Sequence, residues 1–119
     1  MDKLTMSDLN QFTGTLNHYY DPLTGYRFTD GVKFVADKGG AYWLLTKIFT
    51  NMKYEPTLEK YREFAVWRLK VKEDDTATLM AEDGNGKVIY TEEITYTNFP
   101  LPEITLWFED GVLILPSEH

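Results

Sequence analysis

The sequence predicts an α+β fold: N-terminal helices packed on one face of a C-terminal antiparallel meander of four to five strands. Three observations carry this expectation. Ala41, Leu44, Leu45, Ile48, Phe49 and Met52 form one unbroken apolar stripe at the 3.6-residue period of a helix. From about residue 63 the period drops to two, the alternation of a strand with one buried face. The chain has 119 residues, room for one domain, so residues 1–119 are read as a single unit. Within it, about 1–62 form a helical and irregular half, and about 63–119 form the sheet. The helix needs a floor and the sheet a cover, so each answers the other's exposed apolar surface.

Thr5 to Asp8 has the form of a capping box, and Leu9 and Phe12 follow, which predicts a short helix over about 6–12 with Gly14 ending the turn. Two β-prone patches, 17–20 and 26–29, flank Asp21-Pro22-Leu23-Thr24-Gly25 and predict a small hairpin. Asp30 is placed to cap a second helix carrying Val32, Val35 and Ala36, and Gly39-Gly40 breaks it. The striped helix follows and ends at Glu55-Pro56, because proline disfavours helical geometry in the residue before it. One further helical turn is expected within 57–62.

Ala65, Trp67, Leu69 and Val71 then alternate with Val66, Arg68, Lys70 and Lys72. Residues 76–81 alternate again, Asp83-Gly84-Asn85-Gly86 makes a hairpin turn, and residues 87–96 return. Asn98-Phe99-Pro100-Leu101-Pro102 is too rigid for a strand interior and predicts a fixed crossing. Ile104, Leu106 and Phe108 alternate with Thr105, Trp107 and Glu109, and a turn at Asp110-Gly111 leads into 112–115.

Composition excludes several classes. Hydrophobic residues at 43% are too many for a disordered tail. Cysteine is absent, which removes thiol catalysis, disulfides and Cys-ligated metals. No apolar run reaches the roughly 20 residues of a membrane span. The first eight residues lack the layout of a signal peptide, so the expectation is a cytoplasmic protein without membrane contact. The net charge is -7 and is unevenly placed: residues 1–62 hold seven acids and eight bases, residues 63–119 twelve acids and four bases. Phosphate backbones repel such a surface, so direct nucleic-acid binding is not expected. A basic protein surface is attracted to it, although the same charge also serves solubility.

Motifs for chemistry are sparse. Asp83, Asn85, Gly86 and Glu92 fall on positions three, five, six and twelve of a calcium loop, but position one is Ala81 and the flanks alternate like strands. A plain hairpin is the better reading. His18 and His119 are the two histidines, and neither has metal-site spacing. Ser7 and Ser117 sit in no nucleophile elbow. Gly86-Lys87 lacks the rest of a phosphate loop. No catalytic residue, metal or cofactor is assigned, and the reading leans away from an enzyme.

Two sets of candidate binding residues remain. The first is the acidic strand half, with Glu73, Asp74, Asp75, Glu82, Asp83, Glu109 and Asp110, joined by Trp107, which points opposite to Leu106 and Phe108. An exposed Trp107 makes a recognition patch; a covered one is packing. The second set, Tyr19, Tyr20, Tyr26, Trp43 and Trp67, lines a small-ligand pocket or enzyme site between helix and sheet. Trp67 fits the sheet's inner face and Trp43 sits beside the helix stripe, which makes core the first reading of both.

Seven blocks of the sequence together resemble one family: Leu9-x-x-Phe12-Thr13-Gly14, Thr29-Asp30-Gly31-Val32, Gly40-Ala41-Tyr42-Trp43-Leu44-Leu45, Trp67-x-Leu69, Asp83-Gly84-Asn85-Gly86, Phe99-Pro100-Leu101 and the ending Asp110-Gly111-Val112-Leu113-Ile114-Leu115-Pro116-Ser117-Glu118. It is a group of small, uncharacterised bacterial proteins, a domain of unknown function found also with phages and plasmids. The resemblance spans nearly the whole chain, the stretch from Met52 to Glu63 excepted. It brings no activity and no catalytic residue, and implies a complete single domain with a binding or inhibitory role.

The leading expectation is a non-enzymatic protein-binding or inhibitory module whose acidic strand half meets a basic partner, in a mobile-element setting a host defence or nucleic-acid-handling protein. The alternatives are the aromatic ligand pocket and a homodimer joined through the Trp107 face, so the chain is expected as a monomer or homodimer.

Overall fold

The computed structural model describes residues 4–12 and 17–119, without the side chain of Asn10. Helix α1 spans Met6–Asn10, strands β1 and β2 span His18–Tyr20 and Arg27–Thr29, and helices α2 and α3 span Asp30–Gly39 and Tyr42–Tyr54. A 3-10 helix, Pro56–Tyr61, leads into β3 Phe64–Val71, β4 Ala77–Glu82, β5 Val88–Ile94, β6 Glu103–Glu109 and β7 Val112–Ile114, and a last 3-10 turn covers Pro116–Glu118.

Local chemistry explains most boundaries. The Thr5 hydroxyl accepts from the Asp8 amide while the Asp8 carboxylate accepts from the Thr5 amide, the reciprocal capping box of α1. That helix stops at Asn10, short of the expected residue 12, and Gly14 lies outside the described residues. The cap of α2 is Thr29 and not Asp30: the Thr29 hydroxyl accepts from the Val32 amide, and Asp30 is the first helical residue. Gly40, with φ of 61°, closes α2 in the left-handed region.

The class is α+β, as the periodicities predict, but the sheet is larger and wired differently. Seven strands form one sheet in the order β1-β2-β7-β6-β3-β4-β5. The N-terminal half therefore supplies two strands, and β2 pairs with β7 in parallel, with Phe28 beside Leu113. The other pairings are antiparallel, so the sheet is mixed. Nor are the later strands a simple meander. After the hairpin-linked β3, β4 and β5, the chain returns across 95–102 to lay β6 beside β3, which is Greek-key order. The Asn98-to-Pro102 stretch is that crossing, anchored by buried Thr97, Phe99 and Leu101. This register sets Ile104, Leu106 and Phe108 directly against Leu69, Trp67 and Ala65.

One face of the sheet, carrying Ala65, Trp67, Leu69, Ala77, Leu79, Ala81, Ile104, Leu106, Phe108, Leu113 and Phe28, is buried under the helices in a single core. Helix α3 lies on it through Leu44, Leu45, Ile48, Phe49 and Met52, all buried. Each such side chain contributes about 1.5–3 kcal/mol on leaving water. Trp67 donates its indole N–H to the Met52 sulfur at 3.3 Å, and Phe49 meets the rings of Phe28 and Tyr26. At the β5 edge, Lys47 of α3 pairs with Glu92 at 2.5 Å. No helix among the described residues is long and apolar enough to cross a membrane.

Candidate functional site

Strand alternation sends the remaining side chains to the face opposite α3. The registers fix their rows. Ile114, Trp107, Val66 and Glu82 stand abreast across β7, β6, β3 and β4. Toward one end of the sheet come Val112, Glu109 and Phe64, and toward the other Thr105, Arg68 and Met80. Trp107 and Phe64 are half-buried and meet edge to face at 5.8 Å, and His119 packs on the other side of the indole at 5.0 Å. Beside Trp107, Val66 and Ile114 are buried, and α1 and the C-terminal turn reach the Arg68 and Thr105 part of the same face.

Strand direction divides the acidic candidates. Glu73, Asp74 and Asp75 occupy the β3–β4 turn; Glu82, Asp83, Glu109 and Asp110 gather at the opposite end, beside Phe64 and Trp107. An eight-residue strand separates the groups by roughly 26 Å. Local partners absorb several of these charges. Glu82 accepts from Arg68 Nε at 2.9 Å and its side chain is only 15% exposed, so it faces the sheet and not a partner. Asp74 accepts from the amide and hydroxyl of Thr76, which hold its carboxyl below the usual range, and Asp83 accepts from the Asn85 and Lys87 amides inside its own hairpin. Glu109 lies 3.5 Å from His119. Asp110, at φ of 49°, makes no side-chain ion pair with the described residues.

The five aromatics proposed to share a pocket are dispersed. Trp67 is 1% exposed and fills the core against Tyr90 and Met52. Tyr26 stacks on Phe108 and Phe49, and Trp43 packs half-buried at the core's edge. Tyr19 donates to Asp30 at 2.9 Å, and that carboxylate raises the phenol's pKa. Tyr20 is exposed and lines, with Asp21, Pro22, Phe28, Tyr42, Leu45, Thr46 and Phe49, a hollow of about 190 Å³. Two titration shifts lie at the seam between α3 and β5. Lys47 holds the Glu92 carboxyl below its ordinary value, while burial and Glu92 push the Tyr90 phenol up.

Sequence reasoning missed the larger hollow. About 420 Å³ opens between α1, the start of β6 and the C-terminal segment, lined by Met6, Leu9, Arg68, residues 102–105 and residues 115–117. Four separated stretches build it, so no local pattern marks it. Phe64, Val66 and Ile114 on the face opposite α3 were readable from parity alone, as neighbours of Trp107 once strand pairing is known. Among the described residues no three acidic or histidine side chains converge as metal ligands.

No curated protein and no solved structure matches this chain. A family model does, over residues 3–119, nearly the span that the seven sequence blocks cover. The chain therefore belongs to a family of unknown function, DUF6876.

Proposed function

We propose that the chain is a non-enzymatic binding module that engages a basic protein surface through the Trp107 face of its sheet. The single observation that supports this reading is the pairing of Trp107 and Phe64, half-buried on the face opposite α3 and flanked at one end by Glu63, Asp83, Glu109 and Asp110. Large rings supply contact area at small entropic cost, and surrounding carboxylates select a Lys- and Arg-bearing partner. A nucleic-acid-handling protein, whose working surface is basic, is the partner class this chemistry fits, and the proposed setting is the cytoplasm. Asp110 carries the electrostatic part; Glu73, Asp74 and Asp75 lie at the far end of β3. A second copy of the chain is disfavoured there because like acidic rings repel.

The test is capture of a discrete partner by the immobilised chain at low salt and at about 0.5 M salt, where exposed charges are screened within a few ångströms. Trp107→Ala and Asp110→Lys should each release the partner, and Glu73→Lys should not. Retention that ignores both salt and these substitutions would overturn the reading.

A further inference from the structure

We infer that the 420 Å³ hollow beside Arg68 is a binding site for a small carboxylic acid with an apolar chain of medium length. Its volume lies within the roughly 300–1,000 Å³ of small-molecule sites. Met6, Leu9, Pro102, Ile104, Leu115 and Pro116 give it apolar walls. Ser117 donates to the Leu9 carbonyl at 3.3 Å and so ties the α1 wall to the C-terminal wall.

The polar lining is Arg68, Glu103 and Thr105 on the strand side and Ser117 on the C-terminal wall. Arg68 spends Nε on Glu82 at 2.9 Å and Nη1 on the Thr105 hydroxyl at 3.3 Å, and Nη2 makes no hydrogen bond to the described residues. Thr105 accepts that bond, so its own proton is left to donate. Nη2 of the guanidinium and the Thr105 hydroxyl are two donors that fit a carboxylate. The competing acid is Glu103, 3.8 Å from Arg68 Nη1 and with a side chain 47% exposed. A contact that long and that exposed is weak, so a ligand carboxylate exchanges with Glu103 at Arg68 while the Glu103 side chain turns to water. The exchange turns the Glu103 carboxylate out from Arg68 to water, and burial of the apolar chain drives it.

Octanoate is the probe, with octylamine and octanol as controls, titrated into the full chain and followed by backbone amide shifts. Octanoate should give saturable shifts at Leu9, Thr105, Leu115 and Ser117, with octanol weaker and octylamine without effect. Thr105→Val, which keeps the strand's shape and removes the donor, should weaken octanoate about tenfold. Glu103→Gln, which removes the competitor, should tighten it about threefold. Equal response to octylamine, shifts centred on Phe64 and Trp107, or an affinity that neither substitution moves would overturn the assignment.

Discussion

The carboxylate of Glu118 sits where a side chain on Gly31 would have to be: a Cβ built there would lie 2.6 Å from its Oε1. Glu118 is buried, and it accepts from the Thr29 hydroxyl at 2.6 Å, the Leu115 amide at 2.9 Å and the Gly31 amide at 3.2 Å. An anion is thereby fixed at the N-terminus of α2, where unpaired amides and the helix dipole favour negative charge. Two of the sequence blocks shared with the family, the Thr29-to-Val32 and Asp110-to-Glu118 blocks, are the two halves of this one joint. It explains why a glycine follows Asp30 and why the chain's penultimate residue belongs to the fold.

Gly31→Ala should therefore destabilise the protein by about 1–3 kcal/mol, the usual range for overfilling a packed site. Glu118→Ala should cost a similar amount by orphaning three donors. The double variant should be less unstable than the sum, because removing the carboxylate makes room for the methyl group. Rescue should stay partial, since Leu115 Cδ1 also lies 2.7 Å from the same point. Urea denaturation of the four proteins measures all of this.

The α3 stripe invites a simpler test. Ile48 is fully buried beneath the helix, whereas Tyr42 on the same helix is 46% exposed. Ile48→Val should cost about 0.5–1.5 kcal/mol and Ile48→Ala about 2–5 kcal/mol, while Tyr42→Phe should move stability by much less than Ile48→Ala. Equal losses at the two positions would mean that the stripe does not face the core.

That stripe was legible because its period persists over three turns, and the face of each long strand was legible because alternation leaves only two choices. Pairing partners were not. β1, β2 and β7 are three residues each, too short for a period, and Phe28 meets Leu113 from the far end of the chain. Local pattern carries no information about such a contact, and so the parallel β2–β7 pair was invisible. The rigid Asn98-to-Pro102 segment announced a crossing without saying where it led. The acidic candidates suffered likewise: Glu82 and Glu109 are separated in sequence yet flank the same end of β3, while Glu73 is nearer to Glu82 along the chain and lies at the other end.

Acid should loosen the α3–β5 seam. Lys47 lowers the folded pKa of Glu92 below its unfolded value, near 4.3–4.5. Between the two values the unfolded chain binds more protons, so stability rises with pH there. The contribution is present above the unfolded pKa and is lost as pH falls through the depressed one. Glu92→Gln should remove that contribution at neutral pH and flatten this part of the acid limb in thermal melts, measured in steps from pH 6 down. An unchanged acid limb in Glu92→Gln would show that the pair contributes nothing to the pH dependence.

The β4–β5 hairpin separates two costs that are usually confounded. Gly84 and Gly86 both hold φ of +91°, but a Cβ on Gly84 would lie 2.8 Å from the Phe64 ring whereas one on Gly86 would meet nothing within 4 Å. Gly86→Ala isolates backbone strain, about 1–2 kcal/mol for an L-residue in the left-handed region. Gly84→Ala adds a steric term, since Phe64 must yield, and Phe64 is the edge against which Trp107 rests. Gly84→Ala should therefore be the less stable of the two and should also shift the tryptophan fluorescence in the folded state, which Gly86→Ala should leave unchanged. Equal stabilities with equal spectra would mean that the Phe64 ring gives way without cost, and that the aromatic pair on the face opposite α3 is not held in place by the hairpin.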